Sequence, residues 1–325
     1  DLTMSTVEVE DVEDLARRFD NMLVGVIEKI EPHPNADRLR VCKVDIGGGE
    51  IKDIVCGGIN LKEGMRVAVS CPGAVVRWHG EGEPVVIKNS KLRGVESYGM
   101  ICASDEIGLG ELFPAGQEAE ILDLSAFDVP AGTSLADALD MNDILLEIDN
   151  KSMTNRPDLW GHYGIAREIA ALYDLPLKEI KPFETDVQSD FRVEIEDPDR
   201  CTRYIGVEMS GVSVKPSPYK MQNRIWKAGM RPINALVDIT NYVMLAVGNP
   251  THAFDADNIT DHIVVRHASE GEKLLLLNDN ELTLCDDDLV ITDSEGPVAL
   301  AGVMGGAKDS ILPKTERVIL EVANF

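Results

Sequence analysis

The sequence has no run near the ~20 consecutive apolar residues that a bilayer span requires. It also has no basic stretch leading into an apolar core at its start, the pattern of a secretory leader. Aromatic side chains are few in 325 residues, with 3 Trp, 6 Tyr and 7 Phe, while aliphatic content is generous. The six cysteines (Cys42, Cys56, Cys71, Cys102, Cys201 and Cys285) are widely spaced, and none forms a Cys-x-x-Cys pair. That excludes the close ligand pairs of structural zinc and leaves reduced, small hydrophobic side chains of a cytosolic protein. Basic charge is scarce as well: 31 Lys and Arg stand against 57 Asp and Glu, a net charge of −26. An excess of that sign opposes phosphate binding. The deficit is uneven, however. Residues 21–99 hold 11 Lys and Arg against 10 Asp and Glu, one positive charge in excess, so the remainder carries −27. Only this segment escapes the acidic excess, and a near-neutral segment is permissive for RNA.

The length predicts two or three domains. "MLVGVIEKI" (residues 22–30) is strand-like, and "EPHPNADRL" breaks it with two prolines. "LRVCKVDIG" and "KDIVCGG" are β-rich around a Gly47–Gly49 turn, and the pattern continues through "GMRVAVSCPGAVV" and "EPVVIKNSKLRGVESYGMICAS". Short strands at this density predict a small closed barrel of the oligonucleotide-binding type. Residues 118–143 read as a short strand, a loop and a helix. "ILLEID" reads as a strand, "GHYGIAREIAALYD" as a helix, and residues 178–192 as a polar linker. A second cycle opens with the strand "RYIGVEMSGVSV", then a helix over 218–228 capped by Ser217. "INALVDITNYVMLAVG" is the strongest helix, with Asn234 as cap and Gly248 as stop. "HIVVRHA", "KLLLLND", "ELTLC", "DLVITD", "PVALAGVMGG" and "RVILEVANF" follow as strands. The second half is therefore α+β with a mostly antiparallel sheet.

Individual residues leave alternatives open. His33 and Asp37, in a proline turn, are too few for a metal site and suit an irregular loop bracing a strand. Lys43, Arg66, Lys88, Lys91 and Arg93 are candidates for phosphate contact, and each singly also fits a solvated surface charge. "CGGIN" and "AGVMGG" lack the Lys-Ser/Thr ending of a nucleotide loop and do not fit strand–GxGxxG–helix. Small residues in "AGVMGG" let a backbone approach something bulky. "CDDDL" suits a solvated turn. Glu321 interrupts the apolar run "LEVANF", where unpaired burial is costly. His252, in "GNPTHAFD" beyond the long helix, reads by itself as a structural histidine ahead of a functional one. Arg231 precedes the same helix.

These strings carry a resemblance. "HPNADRLRVCKVD…DIVCGGINLKEGMRVAVSCPGAVV…IKNSKLRGVESYGMICASDEIGL" resembles the tRNA-binding-type barrel near the start of the bacterial phenylalanine–tRNA ligase β subunit. "NRPDLWGHYGIAREIAAL" is similar to the segment after it, and "MRPINALVDITNYVMLAVGNPTHAFD" with "ALAGVMGG…VILEVANF" is similar to that family's editing domain. The resemblance implies an α+β multidomain chain. An oligonucleotide-binding (OB) barrel, residues 21–144, is inserted into a small α/β domain of residues 1–20 plus 145–183. Residues 190–325 form the α+β editing domain. It implies a catalytic α subunit as partner in an α2β2 tetramer, tRNA as ligand, a cytoplasmic location and no membrane. ATP and Mg2+ serve the complete enzyme, and this part takes no cofactor and no metal. Editing hydrolyses Tyr-tRNA made in error, because a phenyl pocket cannot strongly reject an added hydroxyl. The pocket residues carried over are Arg231, His252, Ala301, Gly302, Gly305 and Glu321. Glu321 would accept the tyrosine O–H, Gly302 and Gly305 would make room for the ring, and Arg231 and His252 would hold the ester and the tRNA end. No Ser or Cys has a recognisable activating partner, so the expected chemistry is attack by a positioned water.

The absent initiator methionine and the abrupt stop at Phe325 suggest part of a longer protein. On that expectation the fragment lacks a further pocket wall and does not charge tRNA. The rival readings are a free-standing deacylase acting on mischarged tRNA and an inert RNA-binding or assembly module.

Overall fold

The computed structural model describes residues 1–184 and 190–325. It forms two compact units, one of Val9–Ile148 and one of Asp1–Glu8 with Asp149–Phe325. Both fit the expected α+β class with mostly antiparallel sheets.

The Val9–Ile148 unit starts with β1 (Val9–Asp14) and continues into β2 (Met22–Pro32), β3 (Arg40–Asp45), β4 (Ile51–Cys56), β5 (Arg66–Ser70) and β6 (Met100–Ile101). The last five form one antiparallel sheet in the order β6-β5-β2-β3-β4. Tyr98 N–H donates to Asp53 O at 2.8 Å and Val55 N–H to Ser97 Oγ at 2.9 Å. The segment before β6 therefore lies against β4, and the sheet curls almost to closure. Its interior is aliphatic: Ile27, Val44, Ile54, Val67, Val69 and Ile101 pack around Cys42. Burial pushes the Cys42 and Cys102 thiols up to about 12, so both behave as small hydrophobes. Cys285, by contrast, is exposed. Within residues 118–143 the short helix Leu135–Ala138 forms on its Ser134 cap, but the expected strand reduces to a single bridge at Asp123. β7 (Ile144–Ile148) returns antiparallel to β1.

The second unit contains α1 (His162–Leu172), β8 (Val193–Ile195), β9 (Arg203–Ser210), α2 (Tyr219–Lys227), α3 (Ala235–Val247) and β10 (Thr251–Asp255). Then come β11 (Ile263–His267), β12 (Leu289–Asp293), β13 (Gly296–Leu300), β14 (Met304–Gly305) and β15 (Arg317–Asn324). One sheet runs β8-β11-β12-β13-β14, with only β8 and β11 parallel, and a second runs β9-β15-β10. Tyr204, Phe254 and Ile319 from the three-stranded sheet share a core with Ile263, Val265, Ile291 and Val298 from the other. Part of the expected linker, residues 185–189, lies outside the described residues.

The long helix α3 begins and ends as its sequence predicts. Asn234 Oδ1 accepts the amides of Leu236 and Val237 at 3.1 and 3.2 Å, a cap worth about 1 kcal/mol. Gly248 closes the helix with φ 77°. The expected Ser217 cap on α2 is not formed. Pro218 occupies the cap position, and the Ser217 hydroxyl instead donates to Asp238 Oδ2 on α3. A buried carboxylate outcompetes the local amides for this hydroxyl, since charge-assisted bonds are roughly twice as strong. The other Asp238 oxygen accepts Ile233 N–H at 2.7 Å, which fixes the loop that carries Arg231. "THAFD", beyond the Gly248 stop, is strand β10.

Candidate functional site

The site lies on the three-stranded sheet β9-β15-β10. β15 is central, so residue 321 has a neighbour on each side: Gly206 on β9 and His252 on β10. Strand alternation places His252, Phe254, Ile319 and Glu321 on one face, the face turned into the core. Glu321 is only 7% exposed. Burial pushes its carboxyl up to about 7 against the opposing pull of a hydrogen bond from Tyr204. That bond, Tyr204 O–H to Glu321 Oε2, is 3.0 Å long and buried.

His252 stacks edge-on against Phe254, with ring centroids 4.6 Å apart at 71°. Its Nε2 is buried with no hydrogen-bond partner among the described residues. Desolvation lowers its pKa, so the ring is neutral at neutral pH, with one nitrogen as donor and the other as acceptor. The imidazole fits because residue 305 is glycine. A Cβ on Gly305 would stand 2.6 Å from His252 Cε1 and 2.8 Å from Nε2, closer than such atoms approach. β14 carries Gly305, held by its pairing with Ala299 on β13 and by the Leu277 amide at 3.1 Å. Gly302 lies in the turn between β13 and β14 at φ 68°, where its missing Cβ also leaves space for the Phe325 ring. Ala301 packs against the shared core.

The structure thus gathers His252, Gly305 and Glu321, with Ala301 and Gly302 in the adjoining turn. Arg231 is exposed in the loop between α2 and α3, and the interactions that join His252, Gly305 and Glu321 do not include it. Two residues escape the sequence patterns. Tyr204 meets Glu321 across 117 positions, and its only sequence signal is an aromatic in a strand otherwise alternating with small and charged residues. Asp309 is 0% exposed, and both its carboxyl oxygens lack a partner among the described residues. Burial lifts its pKa to about 7, helped by the charge of Asp293. Its backbone carbonyl accepts the Asp255 amide at 2.8 Å, tying it to the end of β10.

The barrel candidates divide differently. Lys43 is paired with Asp53 at 2.9 Å. Arg66 clips the 125–129 loop, donating to Val129 O at 2.9 Å and Asp128 Oδ1 at 3.1 Å. Lys88, Lys91 and Arg93 are exposed on or beside the hairpin Ser90–Ser97. His33 braces that hairpin: Asn35 N–H donates to its Nδ1 at 3.1 Å, so Nε2 carries the proton and donates to Leu92 O at 3.1 Å. Among the described residues no group of three or more His, Cys, Asp or Glu could hold a metal ion.

Barrel and site together define a two-module chain. A family model described as "Putative tRNA binding domain" matches residues 22–134, and one described as "B3/4 domain" matches residues 200–325. The phenylalanine–tRNA ligase β subunit of Pectobacterium atrosepticum is 41% identical over 328 residues, spanning all of this chain and 40% of that protein. The β subunit of Oceanobacillus iheyensis is 42% identical over 331 residues, with the same coverage. An N-terminal fragment of the phenylalanyl-tRNA synthetase β subunit from Pyrococcus horikoshii aligns over 56% of each chain at 20% identity. Its TM-score is 0.34, too loose a likeness to carry weight. Over its whole length the chain is similar to phenylalanine–tRNA ligase β subunits, and it spans about 40% of the length of the curated relatives it matches.

Proposed function

We propose that this chain supplies the RNA-binding barrel and the proofreading site of a phenylalanine–tRNA ligase. The complete enzyme attaches phenylalanine to its tRNA with ATP and Mg2+, in the cytoplasm, through a catalytic α subunit in an α2β2 assembly. The barrel of residues 21–144 is inserted into a small α/β domain of residues 1–20 and 145–183, and residues 190–325 hydrolyse mischarged Tyr-tRNA. The antiparallel pairing of β1 with β7 on either side of the barrel supports that insertion. Among the described residues no helix is long and apolar enough to cross a membrane.

The observation that carries the reading is the Glu321–His252 pair, directly opposite across two strands with Gly305 cleared beneath the imidazole. Tyr204 occupies Oε2 of Glu321, and Oε1 faces the substrate as the acceptor for a phenolic O–H. Phenylalanine has no hydrogen to offer, so its entry leaves the second oxygen of a buried carboxyl without a donor, the kind of arrangement that discriminates strongly. Neutral His252 presents Nε2 to the aminoacyl ester, while Arg231 and the exposed Lys88, Lys91 and Arg93 meet tRNA phosphates. A positioned water attacks the ester carbonyl, the acyl–oxygen bond to the ribose breaks, and the ribose oxygen takes up the proton. The ribose's neighbouring hydroxyl assists.

The test is deacylation of Tyr-tRNA and Phe-tRNA by the protein and by its Glu321→Ala variant. The expected result is preference for Tyr-tRNA in the parent and a loss of that preference on the order of a hundredfold or more in the variant. Intact tyrosine preference in Glu321→Ala overturns the reading.

A further inference from the structure

We propose that Tyr204 is a positioning residue for proofreading: its hydroxyl locks Glu321 by one oxygen so that the other is aimed at the substrate phenol. The inference rests on the proofreading reading and adds a residue on a different strand to the discriminating group.

The geometry is specific. Tyr204 on β9 pairs with Ala323 on β15, two positions beyond Glu321, so both side chains leave the sheet on the same face. The position opposite Glu321 on β9 is Gly206, which has no side chain to stand between them. The phenol therefore reaches diagonally to Oε2, at 3.0 Å. Both residues are buried, where a hydrogen bond to a carboxylate is short of competitors and worth more than at the surface. A glutamate carboxyl with three free torsions and no tether samples several rotamers, and a bond to one oxygen removes most of that freedom. Tyr204 is itself a para-substituted phenol. Its bond therefore shows that this carboxyl accepts such a donor in this environment, and it leaves the second oxygen to a second phenol. The tether also acts on protonation. Burial alone pushes Glu321 up, and the Tyr204 hydroxyl opposes that push, favouring the ionised acceptor near neutral pH.

Tyr204→Phe removes one oxygen and keeps the ring that packs in the core. Three readouts follow: the ratio of kcat/KM for Tyr-tRNA over Phe-tRNA, its pH profile, and the Glu321 carboxyl titration followed by 13C NMR. In Tyr204→Phe the ratio is expected to fall about tenfold, a change of about 1.4 kcal/mol. The rise of Tyr-tRNA hydrolysis with pH moves to higher pH, and the Glu321 titration moves the same way. In a Glu321→Gln background Tyr204→Phe has no further effect on the ratio, because the group it positions has lost its titration and one acceptor oxygen. A ring acting only through packing gives additive losses and an unmoved pH profile, and either result overturns the proposal. If Glu321→Gln alone leaves the tyrosine preference intact, the proofreading reading fails. An unmoved Glu321 titration in Tyr204→Phe defeats the positioning inference separately.

Discussion

Two histidines sit near prolines in similar strings, His33 in "EPHPNAD" and His252 in "GNPTHAFD", and the fold treats them oppositely. His33 has both ring nitrogens engaged, one by an amide and one by a carbonyl, so its tautomer is fixed and its bonding capacity is used up. His252 leaves Nε2 buried and unpaired, pressed against a glycine, beside a carboxyl held near neutrality by burial. A buried polar atom without a partner costs about 1–3 kcal/mol. Satisfaction marks the histidine that holds a loop. An uncompensated cost marks the one reserved for something that arrives later.

The sharpest way to break the contrast is Gly305→Ala. The new methyl collides with the His252 ring, so Tyr-tRNA hydrolysis should fall by roughly a hundredfold or more, since misplacement by about 1 Å costs that much. A rate within about threefold of the parent, small on the scale of that misplacement cost, would show that the ring can leave the glycine freely. Next in size is Asp309→Asn, read as unfolding free energy against pH. The folded pKa of Asp309 is raised above its unfolded value, so its stabilising contribution is fully present below about pH 4 and is lost as pH rises through about 7. Relative to the parent, the variant should therefore gain stability from about pH 4 to about pH 8, on the order of 3 kcal/mol. A parallel pair of curves would refute the raised pKa. Third, His33→Ala should cost about 2 kcal/mol of stability, from the loss of both ring hydrogen bonds, and leave hydrolysis unchanged. His252→Ala should show the reverse, little change in urea midpoint and loss of hydrolysis. Equal stability losses in the two variants would erase the distinction between them. The smallest effect belongs to Lys88, Lys91 and Arg93. Replacing all three by Ala should flatten the salt dependence of tRNA binding, with the log–log slope shallower by roughly 0.7–0.9 for each phosphate no longer neutralised. An unchanged slope would remove this face from the RNA interface.

Sequence patterns carry those features that are decided locally. The Asn234 cap and Gly248 stop of α3 depend on residues within one turn, and the Gly47–Gly49 turn rests on three glycines at positive φ with the Gly47 amide donating to the Asp45 carboxyl just before them. Features decided by distant partners are not legible. Ser217 is a good cap by local rules until Asp238, 21 residues on, takes its hydroxyl. β10 is five residues long and alternates weakly, so nothing short of its pairing with β15 marks it as a strand. The family resemblance supplies His252, Gly305 and Glu321 as a set. That the histidine and the carboxyl are direct cross-strand neighbours requires the register. Lys43 and Arg66 look like free charges along the chain because Asp53 and the 125–129 loop become their neighbours only in the folded barrel.

The strand order β9-β15-β10 also sets a schedule. β15 lies between two strands that precede it, and its pairing of Arg203 with Asn324 closes a loop of more than a hundred residues. During synthesis from the N-terminus, β9 and β10 emerge with their inner edges unpaired and wait for the strand that separates them. Glu321 arrives on that strand, so Tyr204 and His252 acquire their shared neighbour only when this three-stranded sheet is completed. A ribosome-bound nascent chain halted before β15 would hold the histidine and the phenol without the acid between them.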